Sequence, residues 1–230
     1  MPRALNLVLL GQGKTGSIVA EVAKERGHYP TVLTELENPD GRWLTPENLK
    51  DVDAVIDFTA PGAVLSNISR GIAAKVPMVV GTTGWYGELD RIRREVEQAG
   101  TGFVFGANFS YGVNLFFEIA RAAAPALEHG YAGLIKETHH IHKKDAPSGT
   151  ALALERVVEQ ASGVRADIRS VREGDIMGIH TLELSSAGDR MVLTHEVKSR
   201  RTFAEGAVLA AEWIAGKTGF YDFKDIFSQL

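Results

Sequence analysis

Three histidines and two lysines crowd into one short stretch of the chain, His139-His140-Ile141-His142-Lys143-Lys144. A histidine near its ordinary pKa can give or take a proton at neutral pH, and a lysine can hold a positive charge beside it. The residues from Leu134 to Ile141 are predicted to form a strand, in which alternate side chains share a face. His139 and Lys143 should then project together, away from the other two histidines. The stretch therefore predicts proton transfer next to a fixed positive charge.

A turn and a helix start follow the histidines. Pro147-Ser148-Gly149-Thr150 runs into the apolar, helix-forming segment Ala151-Leu152-Ala153-Leu154. Two hydroxyl groups and the unpaired backbone N–H groups of a helix N-terminus favour binding of a carboxylate or a phosphate. The whole stretch thus has the composition of a polar active site that accepts an anion.

Two other interpretations of the histidine cluster stay open at this point. Neutral imidazole is the commonest metal ligand, but the chain has no Cys and adjacent histidines in a strand point apart, so no metal is predicted. A solvated strand end is the other interpretation, and the anion-binding turn that follows argues against it.

A glycine-rich motif near the start of the chain predicts a nucleotide-binding turn. Gly11-Gln12-Gly13-Lys14-Thr15-Gly16 follows the apolar run Asn6–Leu10 and precedes a segment with helical spacing of apolar residues. In a strand–turn–helix context such glycines allow a tight turn and close approach of a pyrophosphate to the helix N-terminus. A second predicted strand, Tyr29–Thr34, leads to Glu35, where an acidic residue can meet the adenosine ribose. The alternative is a purely structural glycine turn.

Strands and helices continue to alternate through the first half of the chain. The predicted strands are Val52–Phe58, Met78–Val80 and Phe103–Phe105, which implies a parallel sheet with right-handed crossovers. Because ligands bind at the carboxyl ends of such strands, the residues that follow them are candidates for a cofactor cleft. These are Thr59, then Gly81-Thr82-Thr83, then Gly106-Ala107-Asn108-Phe109.

The pattern changes after Asn114. A predicted helix at 115–127, the histidine strand and a helix at 151–161 are followed by predicted strands at 166–171, 179–185 and 191–198, and the chain turns helical again from Phe203. The predicted fold class is α/β, with an N-terminal Rossmann-type parallel sheet and a C-terminal α+β domain with a mixed sheet. Residues 1–110 with 203–230 are predicted to form the dinucleotide-binding domain, and residues 111–202 the substrate-binding and oligomerisation domain.

Composition excludes several classes of partner. The 230 residues are 44% hydrophobic and 23% charged, as in an ordinary globular protein. The formal net charge is −4 without a basic block, which argues against nucleic acid. No apolar run approaches the roughly 20 residues of a membrane helix, and no signal-peptide pattern precedes the first strand. With no Cys, the sequence predicts a cytoplasmic protein.

Together these motifs resemble the family of 4-hydroxy-tetrahydrodipicolinate reductases, also called dihydrodipicolinate reductases. The family signature Glu-x-His-His-x-x-Lys-x-Asp-Ala-Pro-Ser-Gly-Thr-Ala is met at every fixed position from Glu137 to Ala151. Four further blocks match in the same order, at 81–84, 107–114, 199–204 and 219–222. The resemblance therefore covers the chain almost from end to end.

The resemblance implies NAD(P)H-dependent reduction of a cyclic imine dicarboxylate in the diaminopimelate route of lysine biosynthesis. It implies that His139 donates the proton, with Lys143 as its catalytic partner. It also implies that the substrate carboxylate is held by His140, Ser148, Gly149 and Thr150, and that the loops after the strands contact the cofactor. Arg200 is a weaker candidate for the second carboxylate, and His142 has no assigned role. The family further implies a homotetramer, whose contacts would cover the edges of a small sheet.

Glu35 predicts that NADH is preferred. Its carboxylate can accept hydrogen bonds from the ribose hydroxyls and would repel the 2′-phosphate of NADPH. The next residue is Leu36 rather than a cation. Lys14 and Arg42 are the nearest cations that could reach a phosphate, so NADPH is kept as a possible cofactor.

Two rival functions remain from the sequence alone. An amino-acid or aspartate-type dehydrogenase would share the nucleotide-binding half and a sheet domain without needing the histidine–lysine signature. A non-catalytic NAD-binding sensor would bind the cofactor, and His139 and Lys143 would be dispensable.

Overall fold

The computed structural model describes residues 3–230, which form two compact units. One unit comprises the described residues up to Tyr111 together with Arg200–Leu230, and the other is Gly112–Ser199. Among the described residues, none of the helices has the length and apolar character needed to cross a membrane.

The described residues form the following strands and helices in chain order. The strands are β1 (Asn6–Leu10), β2 (Tyr29–Leu33), β3 (Ala54–Asp57), β4 (Met78–Val80), β5 (Gly102–Phe105), β6 (Ala132–His139), β7 (Asp167–Arg172), β8 (Ile179–Ser185), β9 (Arg190–Glu196) and β10 (Gly219–Asp222). The helices are α1 (Gly16–Glu25), α2 (Pro46–Leu49), α3 (Pro61–Ala73), α4 (Leu89–Ala99), α5 (Tyr111–Ala123), α6 (Gly149–Ser162), α7 (Arg201–Ile214) and α8 (Phe223–Ile226). Short 3-10 helices lie at Pro39–Gly41, Tyr86–Glu88, Ala124–His129 and Phe227–Gln229.

The first unit is built on a six-stranded sheet with the order β10-β5-β4-β3-β1-β2, in which every neighbouring pair is parallel. This confirms the predicted parallel sheet. The prediction missed the outermost strand, β10, because it treated the segment after Phe203 as helical. In the structure Gly219–Asp222 pairs with Gly102–Phe105 instead.

Helices cover both faces of this sheet, so the central strands are apolar on both sides. Leu7 and Leu9 of β1 pack with α1 and α7, whereas Val8 and Leu10 pack with α3 and α4. Alternate residues of one strand thereby enter two separate cores. These two layers of helices hold the sheet, in which all the strands have their carboxyl ends at the same end.

The second unit contains a mixed four-stranded sheet with the order β7-β6-β8-β9. β6 is parallel to β7 and antiparallel to β8, and β8 is antiparallel to β9. α5 and α6 cover one face, where Phe116, Leu154 and Val158 pack against Ile135 and Leu182. The predicted mixed sheet is confirmed.

The predicted extent of the histidine strand was wrong. β6 ends at His139, and the next backbone groups leave the ladder: the His140 N–H donates to Ile176 O at 2.6 Å and the Ile141 N–H to Gly174 O at 3.2 Å. The chain then turns, with the Lys143 N–H donating to His140 O at 3.1 Å. A shared strand face therefore does not relate His139 to Lys143.

Candidate active site

The turn between β1 and α1 requires glycine at two places. Gly11 has φ +97°, and a Cβ there would lie 2.4 Å from the carbonyl oxygen of Phe58, at the end of β3. A Cβ on Gly16 would lie 2.2 Å from the carbonyl oxygen of Gly11. Since β1 lies between β2 and β3, these close approaches sit where the order of strands reverses, the usual ligand site of such sheets.

A cleft of about 290 Å³ opens at this turn. Among the predicted cofactor residues it is lined by Gly13, Lys14, Thr15, Gly16, Thr59, Gly81, Thr82 and Thr83, and in addition by Phe58 and Pro61, which were not predicted. Gly11, Gln12, Glu35 and the loop 106–109 are not among its lining residues. The N-terminus of α1 opens directly into the cleft, so backbone N–H groups are available to a pyrophosphate there.

Asp57 organises the loops of this cleft, and sequence reasoning missed it. It is fully buried at the end of β3. Its Oδ1 accepts hydrogen bonds from the Thr59 N–H at 3.0 Å, the Thr59 hydroxyl at 2.7 Å and the Thr82 hydroxyl at 2.6 Å. Its Oδ2 accepts one from the Asn67 amide at 2.8 Å. An acid that ends an otherwise apolar strand was the available signal.

The other predicted cofactor residues occupy varied positions in the same unit. Phe109 is buried in the core, with its ring 4.7 Å from that of Phe223. Asn108 accepts a hydrogen bond from the Ser110 N–H at 2.9 Å. Glu35 lies exposed in the turn after β2, where Glu37 accepts hydrogen bonds from both the N–H and the hydroxyl of Thr34 at 2.8 Å.

His139 ends β6 in a buried position of the second unit. Its Nδ1 contacts the carboxylate of Glu137, and its ring meets that of His180 edge to face at a centroid distance of 5.1 Å. Burial lowers the pKa of His139, and the positive charges of Lys143 and Arg172 lower it further, while Glu137 raises it. The net shift of the pKa is downward.

His180 is a buried neutral histidine beside this pair. Burial and the neighbouring His139 lower the pKa of His180 to about 4. Its Nε2 lies 3.1 Å from Oγ of Ser148. The cross-strand register aligns Glu137 with His180 and His180 with His195, so these three side chains form a row on the helix-covered face.

His140 and Lys143 lie in the turn after β6. Nζ of Lys143 is 2.9 Å from Asp145, and this ion pair lowers the pKa of the Asp145 carboxyl group. Nδ1 of His140 is buried and has no hydrogen-bond partner among residues 3–230.

The predicted anion-binding turn does start a helix. Ser148 is the N-cap of α6, and its hydroxyl accepts a hydrogen bond from the Ala151 N–H at 3.2 Å. Because this hydroxyl is buried and also lies against His180, it is already occupied within the protein. Gly149 is exposed and Thr150 is half-buried, so these two residues form the solvent-accessible part of the turn.

Glu137, His139 and His180 bring possible metal-ligand atoms within 4.8 Å of one another. Both oxygens of Glu137 are engaged, however. Oε2 meets His139, while Oε1 accepts hydrogen bonds from Arg172 at 2.9 Å and from the Ser148 N–H at 3.3 Å. A cation at this place would have to compete with the guanidinium group of Arg172.

The contributions of Glu137, Arg172 and His180 were not predicted from the sequence. Glu137 belongs to the signature and precedes His139 by two residues, so the shared strand face was a usable signal. Arg172 and His180 come from β7 and β8, and only the strand pairing brings them to His139.

The first unit has a Rossmann-like parallel sheet with a glycine-rich turn, and the second has a buried histidine–carboxylate cluster and a helix N-terminus. Residues 5–109 match the family model described as "Dihydrodipicolinate reductase, N-terminus", and residues 112–227 match "Dihydrodipicolinate reductase, C-terminus". The chain belongs to the dihydrodipicolinate reductase family, whose members use a nicotinamide cofactor.

Individual relatives agree with the family match. The chain is 36% identical to a 4-hydroxy-tetrahydrodipicolinate reductase of Christiangramia forsetii, over 98% of this chain and 99% of the relative. It is 40% identical to one of Neisseria meningitidis serogroup B, over 77% of this chain and 73% of the relative. A dipicolinate-bound dihydrodipicolinate reductase from Paenisporosarcina sp. TG-14 has the same fold, with a TM-score of 0.81 at 20% identity, over 97% of this chain and 100% of the other.

Proposed function

We propose that the chain reduces 4-hydroxy-tetrahydrodipicolinate to tetrahydrodipicolinate with NAD(P)H, in the diaminopimelate route of lysine biosynthesis. The observation that carries the proposal is the complete signature from Glu137 to Ala151 in a member of this family. In the structure the signature begins with a buried carboxylate–histidine pair and ends in a helix N-terminus.

Cofactor oxidation with two sets of substrates tests the proposal. The purified chain is expected to oxidise the cofactor with the cyclic imine and not with oxaloacetate plus ammonia. The reverse result would favour an aspartate-type dehydrogenase. Binding of the cofactor without turnover of either substrate would favour a non-catalytic sensor.

The cleft of the first unit suits a nicotinamide dinucleotide. The glycines of the β1–α1 turn leave the backbone open, and the α1 N-terminus provides N–H groups for a pyrophosphate. When bound, the cofactor supplies a hydride. Thr59, Thr82 and Thr83 are then the cleft residues proposed to contact its nicotinamide half.

The chemistry requires one proton from the protein. Loss of the 4-hydroxyl group with a ring proton, as water, gives a conjugated cyclic imine. Hydride addition to a ring carbon leaves an enamine-like anion, which takes up one proton to give the product. We assign that proton to His139, with Lys143 holding a positive charge near the ring nitrogen.

Thr150 is proposed to bind a substrate carboxylate, together with His140 and the Gly149 N–H. We expect Thr150→Val to raise the KM of the substrate by about tenfold and to leave the Kd of the cofactor unchanged, since the lost hydroxyl bond is worth about 1–2 kcal/mol. Steady-state kinetics and a cofactor titration measure the two constants. Thr31→Val, at an exposed position of β2, is the matched control. If Thr150→Val raised the KM of the substrate and the Kd of the cofactor equally, the role of the turn would be structural.

NADH is the proposed preferred cofactor. Glu35 is exposed after β2, and Glu37 and Asp40 add negative charge near it, while Arg42 lies 3.8 Å from Asp40. We expect kcat/KM for NADH to exceed that for NADPH by about tenfold, within the range of one charge-assisted hydrogen bond. Kinetics with both cofactors check this. Glu35→Gln should lower the ratio of kcat/KM for NADH to kcat/KM for NADPH. Glu47→Gln, at an exposed position of α2, should leave this ratio unchanged. A wild-type preference for NADPH would show that Lys14 or Arg42 outweighs Glu35.

A homotetramer formed through the second unit is also proposed. α5 and α6 cover one face of its sheet, while Val192, on the other face of edge strand β9, is 45% exposed. Light scattering should give a mass four times that of one chain. Val192→Asp should give smaller species, whereas Val164→Asp, at a loop position that is 41% exposed, should not. A monomeric wild type at assay concentration would refute the assembly.

The predicted roles of the two domains belong to the same proposal: cofactor binding by residues 1–110 with 203–230, and substrate binding by residues 111–202. A cytoplasmic location stays a prediction from the sequence.

A further inference from the structure

Glu137 is a carboxylate with no exposure to solvent, and a buried charge must be compensated. It lies two residues before the end of β6, where Ser170 faces it from β7 and His180 from β8. Oε1 accepts hydrogen bonds from Arg172 and from the Ser148 N–H. Oε2 is left for Nδ1 of His139.

These contacts keep Glu137 ionised. Burial by itself would raise the pKa of this carboxyl group, but hydrogen bonds from Ser170 and Arg172 and the adjacent His139 bring the pKa below its usual value. An ionised carboxylate only accepts hydrogen bonds. The partner atom, Nδ1 of His139, must therefore carry a hydrogen.

The opposite side of the imidazole ring is arranged differently. A Cβ built on Gly178 would lie 3.0 Å from Nε2 of His139, so the absence of a side chain at that residue keeps space beside this nitrogen. Among residues 3–230, no side chain forms a hydrogen bond with Nε2 like the one that Glu137 forms with Nδ1.

We propose that Glu137 is a positioning residue for His139. Its carboxylate, anchored by Arg172 and the Ser148 N–H, fixes the imidazole with hydrogen on Nδ1 and makes Nε2 the atom that gives up the proton. This assignment rests on the proposed function of His139 as proton donor. The negative charge of the same carboxylate favours the protonated imidazole, which burial disfavours.

The charges around His139 set the expected pH dependence. Glu137 raises the pKa of His139, whereas Lys143 and Arg172 lower it. His180, whose pKa is about 4, is neutral above that pH. Removing the charge of Glu137 should therefore lower the pKa of His139 by about 1–2 units, the usual effect of a close opposite charge. Activity that needs protonated His139 falls as the pH rises through this pKa. In the variant this fall should therefore begin at a lower pH than in the wild type.

The first experiment uses the wild-type protein and is independent of activity. In a ¹⁵N-correlated NMR spectrum, the His139 ring signals are assigned by their loss in His139→Gln. Above its pKa, His139 is expected to be the Nδ1–H tautomer. A predominant Nε2–H tautomer would overturn the proposal, even if the chain proved to be an active reductase.

The second experiment measures the pH dependence of kcat/KM in Glu137→Gln and Glu137→Asp. As the pH rises, the Gln variant should lose activity at a pH about 1–2 units lower than the wild type does. Above the pKa of His139 in both proteins, kcat/KM of the Gln variant should be about 10–100-fold lower than that of the wild type. The pH profile of the Asp variant should lie between those of the wild type and the Gln variant. Glu183→Gln, which breaks the ion pair with Lys136 at 2.8 Å in the same sheet, is the matched control and should keep the wild-type profile.

A purely structural role for Glu137 predicts a different result: lower thermal stability with an unchanged tautomer and pH profile. If Glu137→Gln does not fold, the NMR measurement on the wild type still decides. If His139→Gln is active, the proposed function of His139 fails, whereas the tautomer of His139 still tests the role of Glu137.

Discussion

Replacing His139 with glutamine is expected to lower kcat by about 10²–10⁴-fold, the usual contribution of a positioned general acid. Glutamine has polar atoms of similar reach but cannot deliver a proton at neutral pH. The affinity for the cofactor should hardly change, because His139 belongs to the second unit and the glycine turn to the first. Steady-state kinetics and a cofactor titration measure the two effects separately.

The control for this prediction is His129→Gln. His129 is an exposed histidine of the same unit, at the end of the 3-10 helix Ala124–His129. Its replacement should leave kcat within a factor of about two, since among residues 3–230 no side-chain hydrogen bond or ion pair joins it to the proposed site residues. If His139→Gln remained within about threefold of the wild type, His139 would be removed from the mechanism.

Replacing Gly206 with alanine is expected to destabilise the first unit by at least about 3 kcal/mol, above the usual range for overpacking. Gly206 is buried within α7, and a Cβ there would lie 1.8 Å from the carbonyl oxygen of Phe109 and 3.1 Å from the ring of Phe223. A backbone atom cannot move aside as the end of a flexible side chain can. The helix or the loop that carries Asn108 and Phe109 must therefore shift.

Thermal unfolding followed by circular dichroism measures this effect. A loss of that size corresponds to a drop in Tm of roughly 6–12 °C for a chain of this length. Gly62→Ala is the matched control, because Gly62 is also helical, in α3, and its Cβ would meet nothing within 4 Å. It should leave Tm unchanged or raise it slightly. Equal Tm values for the two variants would contradict the steric argument.

Periodicity was enough to predict the architecture but less reliable where strands end. The apolar runs of β1, β3 and β5 and the helical spacing between them correctly predicted a parallel sheet, because strands buried on both faces must be apolar throughout. β10 is only the four residues Gly219–Asp222, and a connection of four residues separates it from α7, so no run was long enough to indicate a strand. β6 stopped at His139 because the loop carbonyls of Gly174 and Ile176 capture the next two N–H groups.

The parts of the site that are local in sequence could be predicted, and those that depend on strand pairing could not. The glycine turn and the start of α6 lie where their motifs indicated. Arg172 and His180 meet Glu137 and His139 only through the register of β7 and β8 with β6. Asp57 was hidden for another reason: it acts through Thr59 and Thr82, so its role becomes visible only with the hydrogen bonds.

The division of the first unit into two segments of the chain sets an order of events during synthesis. The ribosome makes β1–β5 before the second unit, but α7 and β10 only after Ser199. Until then, the side of the sheet formed by Leu7, Leu9 and Ile56 lacks the α7 residues that cover it in the finished unit. Since domains fold as their segments emerge, the second unit can fold before α7, β10 and α8 of the first unit have been synthesised. During that interval α1 covers part of this sheet face, and the part that α7 will cover is exposed to chaperones and to association with other nascent chains.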